Sequence, residues 1–332
     1  MKASILITGT GGGVGQSILK SLQDTDYRLI AADAEALATG LYTADQSYRI
    51  PFASDPAYLQ ALLKICAQEK CSFIFPGLDP ELLLIAEGMQ QFLNIKTVPV
   101  VSSPEVIRIA DDKLRTYEFL TSHAISAPIT LPLSAEAAKQ IPFPMVLKPR
   151  KGGSRSSGVF VVHNESELSF RLSTLPLNNY IAQEYLDGDE YTCGTITFNG
   201  RCYGSIVMKR ILRDGDTYKA FVVKDSRISR HVENVAEILK PFGPCNFQLR
   251  MKDHQPCIFE INARCSGTTY CRTLAGFNEP GMMIDLIAQG KIPDYTIRDI
   301  TILRYWKELV IDSSRLDELQ EHGHSKGSRV PL

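Results

Sequence analysis

Phe259-Glu260-Ile261-Asn262-Ala263-Arg264 opens as a β-strand, with apolar and polar side chains at alternate places. Alternation puts Glu260 and Asn262 on one face and Phe259 and Ile261 on the other. A carboxylate and an amide oxygen side by side suit a hard, oxygen-preferring cation such as Mg²⁺. Arg264 continues the same side and can reach a phosphate oxygen. Upstream, Cys245–Met251 reads as a second strand, joined to Cys257–Ile261 through a turn at Asp253-His254. It carries Gln248 between Phe247 and Leu249, so Gln248 can point into the same cluster. A lone glutamate on such a strand is ordinarily a paired core acid. Three oxygen donors and an arginine on adjacent strands favour a cation and phosphate site.

Working outward, Met145–Lys148 is a strand that ends in a lysine. Lys148 lies at the rim of a core, where its stem is covered and its ammonium can meet a phosphate. The loop Pro149–Gly158 follows, with Lys151-Gly152-Gly153-Ser154-Arg155-Ser156-Ser157-Gly158 inside it. Glycines, hydroxyls and cations together make a lid whose N–H groups grip phosphates; in isolation the same loop is a solvated hairpin. It lacks Walker A spacing. Backbone groups of an extended linker at Gln183-Glu184-Tyr185-Leu186 can read an adenine edge, and Glu190 can accept ribose hydroxyls. Asp111-Asp112-Lys113 opens a helix running to about Ser122, and Lys113 is also free to reach a phosphate.

The first hundred residues alternate short strands (Ala3–Thr8, Leu29–Ala32, Ser72–Phe75, Thr97–Val101) with helices (Val14–Leu22, Pro56–Glu69, Pro80–Met89). This order predicts a parallel sheet covered on both faces. Later segments pair antiparallel: Tyr191–Phe198 and Arg201–Lys209 meet at Asn199-Gly200, a strong hairpin signal. Helices are expected at Glu165–Leu175, Arg230–Lys240 and Pro280–Gln289, and the charged tail from Ser313 is expected to be loosely held. The fold class is therefore an α/β domain followed by a mainly antiparallel α+β region.

Gly9–Gly15 sits between a strand and a helix, and Asp33 ends the next strand. That is the setting of a dinucleotide fingerprint, and equally of a tight strand–helix turn beside a substrate. Asp79 and Glu81, after the strand Ser72–Phe75, can contact a substrate amine; Asp79 can equally cap the helix that Pro80 opens.

The composition is that of a folded globular chain: 332 residues, 44% hydrophobic, 22% charged, net charge −1. Nothing in it calls for nucleic acid or a membrane as partner. The N-terminal apolar run is too short for a signal peptide, and no run reaches the ~18 apolar residues of a membrane span. The eight cysteines form no C-x-x-C pair, so they read as buried free thiols of a cytoplasmic protein.

Taken in order, DDK at Asp111–Lys113, VLKP at Val146–Pro149, the glycine-serine loop, QEYLDGDEY at Gln183–Tyr191, NFQ at Asn246–Gln248 and FEINAR at Phe259–Arg264 resemble the ATP-grasp superfamily. The likeness covers nearly the whole chain and is nearest to the ATP-binding halves of the carbamoyl phosphate synthetase large subunit and related carboxylate–amine ligases. It implies a Rossmann-like pre-ATP-grasp domain in residues 1–110, a small lobe with lid and hinge in 111–185, and a large lobe with the metal site in 186–332. By resemblance, Lys113 and Lys148 contact ATP phosphates, and Gly152, Gly153, Ser154 and Ser156 belong to the lid. Glu184, Tyr185 and Leu186 line the adenine, and Glu190 binds ribose. Gln248, Glu260 and Asn262 hold Mg²⁺, for which Mn²⁺ can substitute, and Arg264 meets the γ-phosphate, with Lys148 as second catalytic cation.

The implied activity is ATP-dependent activation of a carboxylate as an acyl phosphate, captured by an amine. The alternatives are phosphorylation of bicarbonate or carbamate with a partner, a nicotinamide oxidoreductase using Gly9–Gly15, and a non-catalytic ATP-binding module. The chain is much shorter than the synthetase, so carbamoyl phosphate synthesis by it alone is not expected. Candidate substrate contacts are Asp79, Glu81, Lys209, Arg210, Arg304 and the Gly11–Gly15 loop; a homodimer is the default assembly.

Overall fold

The computed structural model describes residues 3–153, 156–327 and 329. Ser154 and Arg155, at the tip of the expected lid, lie outside them.

The N-terminal sheet has strands β1 (Ser4–Thr8), β2 (Arg28–Asp33), β3 (Gln46–Arg49), β4 (Cys71–Phe75) and β5 (Val98–Pro99), all parallel. Helices α1 (Gly13–Leu22), α2 (Tyr58–Glu69), α3 (Asp79–Glu87) and α4 (Met89–Asn94) connect them. The β1 sequence Ser-Ile-Leu-Ile-Thr is buried throughout, as a central parallel strand with both faces covered must be. The connecting helices place the loops Gly9–Gly12 and Pro76–Leu78 at the carboxyl ends of β1 and β4, where open α/β sheets bind ligands.

Helices α5 (Pro104–Asp111) and α6 (Lys113–Ser122) follow. Ser103 accepts a hydrogen bond from Val106 N and so caps α5; Asp112 caps α6, accepting from Leu114 N and Arg115 N. A four-stranded antiparallel sheet then forms in the order β6–β9–β7–β8, from β6 (Thr130–Pro132), β7 (Met145–Pro149), β8 (Phe160–Val162) and β9 (Tyr180–Glu184). Its core packs α7 (Ala135–Ala138) and α8 (Glu165–Thr174) against Met145, Leu147 and Ala182.

The third sheet is antiparallel, in the order β14–β13–β10–β11–β12–β15. Its strands are β10 (Glu190–Phe198), β11 (Arg201–Arg213), β12 (Asp216–Val222), β13 (Gly243–Lys252), β14 (Gln255–Asn262) and β15 (Thr301–Leu303). The amphipathic helix α9 (Ser226–Leu239) lays Ile228, Val232, Val235 and Ala236 on one face with Phe247 and Leu249. On the other face α10 (Thr269–Leu274) and α11 (Glu279–Gln289) sit between this sheet and α1, and one core joins Ile5, Ile7 and Ile18 to Ile206, Phe277 and Met283.

Two expectations change. The small lobe was expected from residue 111, but α6 spans two layers: Leu120 joins the core of the third sheet with Val106, Phe247 and Ile261, while the helix also packs on β6 of the second. The described part of the tail, residues 313–327 and 329, is not loosely held. It forms α12 (Ser313–His322), buries Leu319, and adds β16 (His324–Lys326) antiparallel to β3 at the edge of the first sheet. Arg329 then reaches Asp45 at 3.0 Å and the Gln23 and Thr25 carbonyls at 2.8 and 2.7 Å. A range of 186–332 for the large lobe therefore overruns it by this segment. All eight cysteines are free, and all but the half-buried Cys202 are buried. Among the described residues no helix is long and apolar enough to cross a membrane.

Candidate active site

A cleft of about 1400 Å³ opens between the three sheets. Its floor is the β13–β14 pair, whose register sets Gln248 opposite Glu260 and Asn246 opposite Asn262. Period-2 alternation brings their side chains to one face. Asn262 Nδ2 donates to Glu260 Oε1 at 3.1 Å, and Gln248 Nε2 donates to Glu260 at 3.2 Å and to Asn262 Oδ1 at 3.4 Å. One carboxylate among amides is the donor set a Mg²⁺ ion needs when nucleotide phosphates supply the remaining oxygens. No cluster of three His, Cys, Asp or Glu competes with it among the described residues.

The amides are not equivalent. Arg210 Nη2 donates to Gln248 Oε1 at 2.8 Å, which turns the Gln248 N–H groups toward Glu260 and Asn262. The Gln248 oxygen is thus shared with a guanidinium, whereas the Asn262 oxygen accepts from the amide N–H groups of Asn246 and Gln248.

Two lysines face this floor from the other layers. Lys148, at 5% exposure, is the penultimate residue of β7, with its Nζ 5.3 Å from the centre of the Phe259 ring. Burial lowers its pKa to about 8, although Glu260 pulls the other way. Burial pushes the Glu260 carboxyl up, but Lys113 and Lys148 outweigh it and hold the group below its ordinary range. Lys113, first residue of α6, donates to the Gly152 carbonyl at 2.9 Å, tying the helix to the start of the lid. Asp112 anchors the same corner through Arg150, whose Nε lies 2.8 Å from Oδ1. Gly152 and Gly153 adopt φ of 66° and 79°, left-handed values suited to glycine, and both line the cleft with Ser156.

Glu184, Tyr185, Leu186 and Glu190 line the cleft, and polar groups of Glu184, Leu186 and Glu190 are already engaged. Glu184 is paired with Lys252 at 2.5 Å, and the Leu186 carbonyl accepts from Arg250 at 3.0 Å. Glu190 is clamped by Arg210 at 2.5 Å and Arg250 at 3.0 Å. The ribose role expected of Glu190 would have it share its carboxylate with two guanidinium groups.

Arg264 stands at the cleft, but its guanidinium is bidentate to Asp79 at 2.9 and 3.0 Å instead of reaching freely into the space. That pair joins the first turn of α3 to the residues just after β14. Burial pushes the Asp79 carboxyl up, but Arg264 outweighs it and holds the group low. Leu78, not Asp79, is the N-cap of α3.

Glu81 is no substrate contact. It is fully buried, accepts from Thr8 at 2.6 Å and from Gly77 N and Leu78 N at 2.8 Å, and also binds the Tyr58 hydroxyl. It ties β1 to the β4–α3 turn. Burial pushes its pKa up despite these bonds.

Lys209 pairs with Asp189 at the surface, away from the cleft lining. Arg210 and Arg304 do line the cleft; Arg304 donates to the Thr217 carbonyl at 2.9 Å. Gly12 and Gly13 reach the cleft, but the Gly11 N–H is spent on Asp33 Oδ2 at 2.7 Å and Gly12 N on the Gly9 carbonyl at 3.0 Å. Those donors are lost to a pyrophosphate, which counts against a dinucleotide fingerprint.

Comparison with known proteins places these parts. Residues 5–101 match the family model described as PylC-like, N-terminal domain, and residues 177–307 that described as ATP-grasp in the biosynthetic pathway with Ter operon. The carbamoyl phosphate synthase large chain of Mesorhizobium japonicum is 23% identical over 80% of this chain and 27% of its own length. A D-alanine–D-alanine ligase of Petrotoga mobilis is 33% identical over 30% of this chain and 33% of its own. The matches thus span about a third or less of these two relatives. The structure of N5-carboxyaminoimidazole synthetase from Staphylococcus aureus complexed with ADP superposes with a TM-score of 0.70 at 19% identity, covering 90% of this chain and 81% of that one. The chain carries an ATP-grasp domain behind a PylC-like N-terminal domain.

Proposed function

We propose that the chain binds Mg·ATP in the cleft and transfers the γ-phosphoryl group to a carboxylate. The oxygen of the acid attacks phosphorus, ADP leaves, and the acyl phosphate is then attacked at carbon by an amine or ammonia, releasing phosphate and forming a C–N bond. The observation that carries this reading is the meeting of Lys113, Lys148 and Arg210 with Gln248, Glu260 and Asn262 across one cleft. The cations would neutralise charge on the transferring group, and Glu260 with the amides of Gln248 and Asn262 would hold Mg²⁺, which would supply further positive charge for the phosphates. No side chain need form a covalent bond, because phosphoryl transfer is governed by positioning and charge. The lid residues Gly152–Gly158 would exclude water from the acyl phosphate. Gly12, Gly13 and Arg304 also line the cleft and would face the acid and amine.

The synthase likeness over 80% of the chain favours a second acceptor, bicarbonate or carbamate, phosphorylated beside a partner subunit. Two measurements test the reading. Wild type should bind ATP in a Mg²⁺-dependent manner, and Glu260→Ala combined with Asn262→Ala should abolish that dependence; full Mg·ATP affinity in the double variant refutes the metal assignment. A screen for ADP release across amino acids, simple carboxylates and bicarbonate, with and without ammonia, then separates the acceptors.

A further inference from the structure

Beneath the β13–β14 pair, away from the cleft, lies an ion pair that the proposed chemistry does not touch. Arg272 on α10 and Glu279 on α11 are both 0% exposed, with Arg272 Nη1 2.7 Å from Glu279 Oε1. Thr269 donates to the other Glu279 oxygen at 2.5 Å. Gly194 on β10 makes the room: a Cβ there would lie 2.2 Å from Glu279 Oε1. Buried ion pairs are weak sources of stability, and an apolar pair of similar volume often serves as well. The polarity of this one has a consequence further along.

Arg272 Nη2 donates to Thr192 Oγ1 at 3.0 Å and also to Asn246 Oδ1, and Thr192 donates to that same oxygen at 2.7 Å. A guanidinium has donors only. Asn246 must therefore show it the amide oxygen, and its NH₂ group points the opposite way. That NH₂ donates to Asn262 Oδ1 at 2.9 Å, so Asn262 must show its oxygen in turn and give its own NH₂ to Glu260. Hydrogen-bond polarity is thus passed from Arg272 to the metal-facing amide without a break.

We infer that Arg272, acting through Asn246, is a positioning residue that keeps the oxygen of Asn262, not its nitrogen, available to the cation. This rests on the Mg·ATP reading above. The residues beneath metal ligands typically change metal affinity by ~10–100-fold when altered.

The experiment is calorimetric titration of ADP at varied MgCl₂, with melting curves alongside. Asn246→Asp still accepts from Arg272 and Thr192 but has no N–H for Asn262. The Asn262 amide then turns over to donate, and the Mg²⁺ concentration for half-maximal enhancement of ADP binding should rise ~10-fold or more, with metal-free ADP affinity unchanged. The added negative charge alone would tighten Mg²⁺ binding, so the two explanations have opposite signs. Arg272→Lys keeps a donor-only partner and should preserve the wild-type Mg²⁺ dependence. If Asn246→Asp does not fold, Asn246→Ala reads the same quantity, and a weakened Mg²⁺ dependence is again expected. Unchanged or tightened dependence in the folded Asn246 variant overturns the inference alone. Wild-type ADP binding indifferent to Mg²⁺ overturns the Mg·ATP reading and this inference with it.

Discussion

Lys148 shows how much of the site one side chain holds. Its position at the end of an apolar strand follows from Pro144–Leu147 before it; the depth of its burial follows from Phe259, on a different sheet. With a pKa of about 8 when folded and an ordinary value of 10.5, the folded chain loses this proton while the unfolded chain still holds it. Stability contributed by this group should therefore rise between about pH 8 and 10.5 and be flat below. Urea melts of wild type and Lys148→Met across that range should diverge, with the rise smaller in the variant. If Lys148 meets a phosphate, Mg·ATP affinity should fall as pH passes 8 in wild type, and this fall should flatten in the variant. Arg264 teaches the reverse lesson. Its cation was legible beside Asn262, but its partner Asp79 is 185 positions away and only the fold brings them together.

At the scale of elements, strand alternation explains why Glu260 and Asn262 share a face, and a short turn makes their meeting with Gln248 readable in advance; the place of Asn246 opposite Asn262 comes from the register. What alternation does not show is the third strand. β10 pairs with β13 so that Thr192 lies opposite Gln248 and Gly194 opposite Asn246, which is how the Arg272–Glu279 pair gains access to the back of the site. Gly194→Ala should crowd that pair, since the new methyl would also lie 2.5 Å from Arg272 Nη1. A loss of roughly 1–3 kcal/mol is expected from overpacking, read as a lower urea midpoint with unchanged slope; an unchanged midpoint would show that α10 and α11 yield easily. The cap of α6 was readable from Asp111-Asp112-Lys113, whereas the packing of α6 on the third sheet was not.

Across the whole molecule, the described tail returns to the first sheet. β16 pairs with β3, which lies two strands from β1, and Arg329 clasps Asp45 and the turn after α1. Leu319, fully buried in α12, anchors this return. Leu319→Ala should cost about 2–5 kcal/mol of stability while leaving nucleotide affinity of the folded protein near wild type, as ADP titration below the melting transition would show. A changed affinity would mean that the tail communicates with the cleft. The sequence by itself determined the parallel first domain, the antiparallel pairs after it and the cluster of oxygen donors and cations, because hydrophobic period, turn chemistry and strand alternation are local properties. Only the tertiary structure decided that Glu81 is a buried tie, that Arg264 is held by Asp79, that Arg210 turns the Gln248 amide, and that the tail closes the first sheet. Those outcomes depend on which groups meet across layers, and a buried charge or amide takes its partner from whatever the packing brings within hydrogen-bond reach.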